Sequence, residues 1–201
     1  DGWPKPLRNA ENKVYGTIDM TTVLEDSVNT GMVYSMRSMG MERFVEYVRN
    51  FGFGVRTGLE IETESSGTTA ALDIGQEIYA ATASFGQGIT VTPIQMAAAY
   101  GAIANGGILM RPYLVEDVVS ADGTHEPREP QEVRRVLQPK TASLLGAMLV
   151  SVVENGHGKR AGVPGYYIGG KTGTAQVART DGLGYDLDST IGSFAGFGPV
   201  N

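Results

Sequence analysis

The sequence predicts an α+β fold, a helical body followed by a pair of strands. Three observations predict it. Two segments, MERFVEYVRNF at 41–51 and KTASLLGAMLVSVVEN at 140–155, carry helical periodicity. A third, running from Pro93 to Ala104, begins with helix-start residues and ends at Asn105-Gly106-Gly107. After residue 165 the pattern changes to two strand-like runs, YYIGGKTGTAQVA and STIGSFAGFG. Helices followed by strands, rather than alternating with them, argue for α+β over a βαβ design.

Each element has its own reason. Residues 1–16 hold Pro4, Pro6 and few apolar positions and read as irregular. A helix over roughly 30–39 carries Met32, Met36 and Met39, a stripe that reads as core packing. Met41, Phe44, Val45 and Val48 stand at i, i+3, i+4 and i+7, the spacing of an amphipathic helix. Gly40 precedes that helix and Gly52 follows it as a C-cap. Residues 52–75 are rich in Gly and Thr and read as loops. Thr92 suits an N-cap with Pro93 at N1. Residues 112–119 read as extended and 120–132 as a polar loop. The helix from Lys140 places Leu144, Leu145, Met148 and Val152 on one face. The strand-like runs form an antiparallel hairpin joined by TDGLGYDLD. The expected organisation is a mainly helical lobe at 20–160 and a sheet hairpin at 165–198.

Composition narrows the function classes. Of 201 residues, 41% are hydrophobic and 19% charged, and the formal net charge is −6. That is a globular composition, with no electrostatic reason to bind nucleic acid or anionic lipid. The chain has no cysteine, which removes disulfide and thiolate chemistry. Its two histidines, His125 and His157, read as loop residues, and a histidine-based metal site is not expected. No apolar run reaches the roughly 18 residues of a membrane span.

GGKTGTAQVA, residues 169–178, is an unusual strand, with a lysine among glycines and hydroxyls. Glycine weakens a strand and often marks a close approach by a ligand or another backbone. Alternation puts Thr172 and Thr174 on one face and Lys171 with Ala175 on the other. Two hydroxyls, free amides and a nearby cation suit a carboxylate. A lysine guarding a strand edge against aggregation is the plainer reading. A second stretch, LEDSVNTGM, places Ser27 and Asn29 two apart. On a helix they would face apart, so a shared pocket requires an extended turn ahead of the helix; the alternative is that one of them caps it.

Ser27-Val28-Asn29 followed by Lys171-Thr172-Gly173-Thr174 resembles two of the three motifs of penicillin-binding proteins and serine β-lactamases. Four further stretches look like class B penicillin-binding proteins, the monofunctional D,D-transpeptidases of cell-wall synthesis. They are SFGQGITVTPIQMAAAYGAIANGG at 84–107, FGFGVRTGLEI at 51–61, the VVENG before the lysine motif, and FAGFGP at 194–199. The resemblance covers nearly the whole chain and disfavours β-lactamases. It implies an incomplete penicillin-binding, serine β-lactamase-like transpeptidase fold, a helical lobe plus antiparallel strands of the central sheet. The family's Ser-x-x-Lys nucleophile motif is not present: the residues three before lysines 5, 13, 140, 159 and 171 are Gly2, Ala10, Leu137, Gly156 and Ile168. The expectation is a partial domain, beginning downstream of the nucleophile and ending before the last strand and helix, and inactive alone.

In the complete domain the resemblance implies that the lysine of the absent motif activates the serine. Ser27 relays a proton to the leaving amine, and Asn29 holds the donor peptide. Lys171 orients Ser27 and adds positive potential. Thr172 and Thr174, with Gly173 between them, bind the terminal carboxylate of D-Ala-D-Ala or of a β-lactam. The Thr174 N–H forms half of the oxyanion hole. The implied partners are the peptidoglycan stem peptide, β-lactams, the nucleophile-bearing segment and, for the parent protein, a membrane glycan polymerase at the extracytoplasmic face of the inner membrane. No cofactor or nucleic acid is implied. A D,D-carboxypeptidase or β-lactam sensor is the alternative within the chemistry, and a non-catalytic scaffold domain the alternative outside it. A two-stranded remnant with Phe194 and Phe197 uncovered is further expected to recruit the missing segment or a second copy.

Overall fold

Met41, Phe44, Val45 and Val48 define one side of a helix, and that side packs on the core. In the computed structural model, which describes residues 6–178 and 185–200, α1 (Met20–Glu25), α2 (Asn29–Met39) and α3 (Met41–Asn50) follow one another closely. A short loop-borne helix, α4 (Glu77–Ser84), joins them. Val33 and Met36 of α2, Leu72, and Ala80, Ala81 and Ala83 of α4 form the cluster on which α3 rests. Of the methionine stripe only Met36 is fully buried, whereas Met39 is exposed. α4 escapes sequence reading because EIYAATAS is short and its alanines carry no periodic contrast. The same alanines allow it to pack closely on α2.

Two buried polar side chains organise the long loop from 52 to 75. Thr92 and Gln95 form a capping box at the start of α5 (Pro93–Ala104): Gln95 N donates to Thr92 Oγ1 at 3.2 Å, and Thr92 N donates to Gln95 Oε1 at 2.9 Å. The Gln95 amide, 1% exposed, also donates to the carbonyls of Val55 at 2.6 Å, Ser66 at 2.8 Å and Gly52 at 3.4 Å. One side chain thus ties three points of an irregular loop to a helix start. Glu64 does the same within the loop, accepting from Thr57 N and Oγ1 at 2.6 Å each and from Gly58 N at 3.0 Å. Burial raises its pKa, but these donors and the charge of Arg56 outweigh it and hold the carboxyl below its ordinary range.

The segment read as extended chain at 112–119 and polar loop at 120–132 holds a hairpin, with one strand in the extended part and the other inside the expected loop, and a second small sheet flanks it. β1 (Ile108–Met110) pairs with β4 (Glu132–Arg135), and β2 (Asp117–Val119) with β3 (His125–Pro127), both antiparallel. The β2–β3 hairpin is exposed throughout, so no inside–outside alternation marks it. It closes through a turn with Gly123 N donating to Ser120 O at 2.9 Å, and a 2.6 Å contact between His125 Nδ1 and Asp117 Oδ2 links its strands. His125 therefore lies on a strand, not in a loop.

The final sheet pairs β5 (Gly169–Ala178) with β6 (Tyr185–Phe197), antiparallel, with Lys171 opposite Ala195 and Thr172 opposite Phe194. Of the expected connection at 180–188, residues 185–188 belong to β6 and the rest lies outside the described residues. α6 (Pro139–Glu154) lies against β5, α5 and α1. Its buried face is Ala142, Gly146, Leu149, Val152 and Val153, and Leu144 is 64% exposed. Of the expected face, Val152 is buried and Leu145 and Met148 are half-buried, while Leu144 faces out; the buried side is rotated towards Ala142, Gly146, Leu149 and Val153, which meet β5, α5 and α1. Phe197, expected to be uncovered, packs edge-on against Tyr100 of α5 with centroids 6.4 Å apart. No helix is long and apolar enough to cross a membrane among the described residues.

Replacing Gln95 by Ala would leave the Gly52, Val55 and Ser66 carbonyls without their donor and remove half of a capping box. A loss of about 3 kcal/mol is expected, measured by urea unfolding. A change under about 0.5 kcal/mol would show that the loop is held by other contacts.

Candidate functional site

Ser27 follows α1 at the C′ position of a Schellman turn. Val28 N donates to Val23 O at 2.9 Å and Ser27 N to Leu24 O at 3.3 Å, and the accompanying apolar contact falls to Val23 and Val28, 3% and 2% exposed. This position takes the left-handed conformation that glycine adopts most easily, and Ser27 adopts it with φ 54°. A serine is thus held in a costly conformation with its side chain exposed, and such strain clusters at functional positions.

Asn29 is the first residue of α2. The extended turn anticipated for Ser27 and Asn29 is replaced by a left-handed residue, one extended residue and a helix start. Neither side chain caps α2. The cap position is Val28, and Asn9, far upstream, accepts from Thr30 N at 2.9 Å and Thr30 Oγ1 at 3.1 Å. The Asn29 amide donates to the Arg8 carbonyl at 3.0 Å. Sequence reasoning missed Arg8 and Asn9, which lie in a stretch with no periodic signal.

On β5, Lys171 is half-buried and burial pushes its pKa below the ordinary lysine value. Strict alternation separates Lys171 from Thr172, yet the ammonium wraps over the strand and donates to Thr172 O at 3.1 Å and Thr172 Oγ1 at 3.4 Å. No hydrogen bond joins it to Ser27 among the described residues. Thr174 is exposed opposite Gly192. The glycines of this strand have a structural reason that the sequence did not disclose. A Cβ at Gly170 would stand 2.3 Å from Phe194 Cζ, and one at Gly173 would stand 2.6 Å from Ser193 Oγ. They admit side chains of the neighbouring strand, not only an incoming ligand.

The elements that bear the two motifs both pack on α6. Ser151 donates to the Glu25 carboxylate, and Glu25 is two residues before Ser27. Leu149, two residues before Ser151, lies under Gly169, which is two residues before Lys171. One turn of one helix therefore touches the approaches to both motifs. Beside Asn29, a cavity of about 320 Å³ opens between Thr30 and the stretch from Leu7 to Tyr15. No cluster of metal-binding side chains occurs among the described residues.

The chain matches the family model for the penicillin-binding protein transpeptidase domain over residues 1–201. It is 38% identical to stage V sporulation protein D of Bacillus subtilis over 89% of this chain and 28% of that protein. It is 37% identical to the penicillin-binding protein PbpB of Mycolicibacterium smegmatis over 97% of this chain and 31% of that protein. The chain thus spans about a third of the length of these curated relatives. Among solved structures, the apo form of penicillin-binding protein 3 from Mycobacterium tuberculosis superposes with a TM-score of 0.90 at 33% identity, covering 96% of this chain and 45% of that one. The same protein complexed with ampicillin gives a TM-score of 0.91 at 33% identity, over 96% and 44% of the two chains.

Two outcomes follow from the site's geometry. Ser27→Gly is expected to stabilise the fold by about 1 kcal/mol, read by urea unfolding, whereas Ser27→Ala keeps its Cβ and gains nothing. For Lys171, the folded-state pKa lies below the ordinary 10.5, so the unfolded chain binds the proton more tightly. Its charge therefore lowers stability below the folded pKa, and that loss is relieved as pH rises towards 10.5. The stability of the wild type relative to Lys171→Met should climb across this alkaline window in denaturant titrations. A flat difference would mean that burial does not penalise the ammonium.

Proposed function

Because the chain belongs to the penicillin-binding protein transpeptidase domain family, we propose that it supplies the Ser-x-Asn and Lys-Thr-Gly walls of a peptidoglycan D,D-transpeptidase site that β-lactams also occupy. The observation that carries this is that the element before the Ser27 turn, α1, and the strand that bears Lys171, β5, both pack on one helix, α6. The 201 residues contain no Ser-x-x-Lys, so the attacking serine comes from outside them and this chain alone is inactive. That serine attacks the penultimate D-Ala carbonyl, the terminal D-Ala leaves as an amine after receiving a proton by way of Ser27, and an amine of a neighbouring stem peptide then takes the acyl group. Asn29 engages the donor peptide by exchanging its bond to the Arg8 carbonyl for one to substrate. The Lys171 ammonium and the hydroxyls of Thr172 and Thr174 receive the substrate carboxylate, and the Thr174 N–H faces the developing oxyanion. Such a domain works on the outer side of the membrane, where its substrate lies.

The test is labelling of the full-length protein with fluorescent penicillin. The wild type should form a covalent adduct and the isolated 201-residue chain none. Thr174→Val should slow labelling by about 10- to 100-fold, the worth of a hydrogen bond to a charged group. Incubation with a donor peptide and an amine acceptor should yield the cross-linked product rather than only the hydrolysed one. An unlabelled full-length protein would sink the reading.

A further inference from the structure

We propose that Glu25 and Ser151 are positioning residues that fix the Ser27 turn relative to the Lys171 strand; this rests on the proton-transfer role proposed for Ser27. Glu25 ends α1, where a carboxylate is disfavoured by the negative end of the helix dipole. Helix chemistry therefore gives no reason for an acid at this place. Its partners do. Ser151 Oγ donates to the Glu25 carboxylate, and Asn155 Nδ2 donates to Ser151 Oγ at 3.0 Å. His157 N donates to the Glu25 carbonyl at 3.2 Å. A Cβ at Gly156 would stand 2.7 Å from both the Glu25 Cα and its carbonyl oxygen, so the backbone after α6 is pressed against the backbone of α1 at this residue.

The consequence is geometric. Glu25 is held at its side chain by Ser151 of α6 and at its main chain by Gly156 and His157 just after that helix, and the strained Ser27 lies two residues on. The same helix carries Leu149 beneath Gly169. The distance from Ser27 to the lysine strand is thereby set by a rigid helix, not by a direct bond between the two side chains, which the structure lacks. The serine–carboxylate bond spans 126 positions, and no local feature of α1 or α6 requires it. A group that relays a proton depends on such placement, since a shift of about 1 Å costs on the order of 100-fold in rate.

The experiment uses the full-length protein and stopped-flow acylation by a reporter β-lactam, resolving the pre-acylation binding constant from the acylation rate constant. Glu25→Ala and Ser151→Ala should each lower the acylation rate constant by about 10-fold or more, with binding of the β-lactam unchanged. The double variant should be no slower than either single one, because both remove the same bond. Glu25→Gln, which still accepts from Ser151, should restore the rate. Should Glu25→Ala fail to fold, Ser151→Ala and Glu25→Gln still carry the comparison. Normal acylation in Glu25→Ala or Ser151→Ala would overturn this inference and leave the proposed function standing. So would a fall in melting temperature and in binding and rate together that Gln does not rescue, since that is a scaffold effect alone. Absence of any acylation in the wild type would overturn the function and, with it, the positioning role.

Discussion

The close approach of α6 to its neighbours is the constraint on which the rest of the structure depends. At one level of the helix, Leu149 rests on Gly169 of β5; at its end, Gly156 is pressed on the Glu25 backbone. The second excludes a Cβ at residue 156, which would stand 2.7 Å from the Glu25 backbone, whereas the first leaves ordinary contact distance, 3.4 Å, to Leu149 Cβ. Once α6 is seated, the turn after α1 and the start of β5 have little freedom left. The buried face of α6, Ala142, Gly146, Leu149, Val152 and Val153, mixes small and branched residues to meet these neighbours.

Around this frame the molecule uses buried polar groups where a larger core would use hydrocarbon. Gln95 and Glu64 hold a long irregular loop by hydrogen bonds that leave none of their own atoms unpaired; among the described residues no buried side-chain polar atom lacks a partner. Unpaired, such groups would cost more than they contribute. Ser27 shows the opposite economy. Its left-handed backbone, φ 54°, would be easier for glycine, and on the proposed function the hydroxyl is what the strain preserves. Lys171 is the electrostatic counterpart, a half-buried ammonium whose charge is disfavoured by its surroundings and steadied by the Thr172 oxygens. In a protein of net charge −6, positive potential for an anion has to be built locally, and on the proposed function this strand supplies it.

What the sequence by itself determined is what short-range physics writes locally. The helix with Met41, Phe44, Val45 and Val48 on one side, the Thr92 cap with Pro93 and the order of helices before strands follow from periodicity, capping and turn chemistry. The residues of the two motifs were legible as chemistry: Ser27, Asn29, Lys171, Thr172, Gly173 and Thr174 are hydroxyls, an amide, a cation and glycine at telling spacings. Only the tertiary structure decided their surroundings. The α4 segment and the β2–β3 hairpin carry no periodic contrast, one being short with five of its eight residues small and the other fully exposed. The buried face of α6 was legible only in part, Val152 but not Ala142, Gly146 or Leu149, because α6 packs on three elements at once and no single stripe marks them. Asn9 at the start of α2, Phe194 over Gly170, Ser193 over Gly173 and the Glu25–Ser151 bond join residues distant in the chain. Each contact is set by packing that no local pattern records.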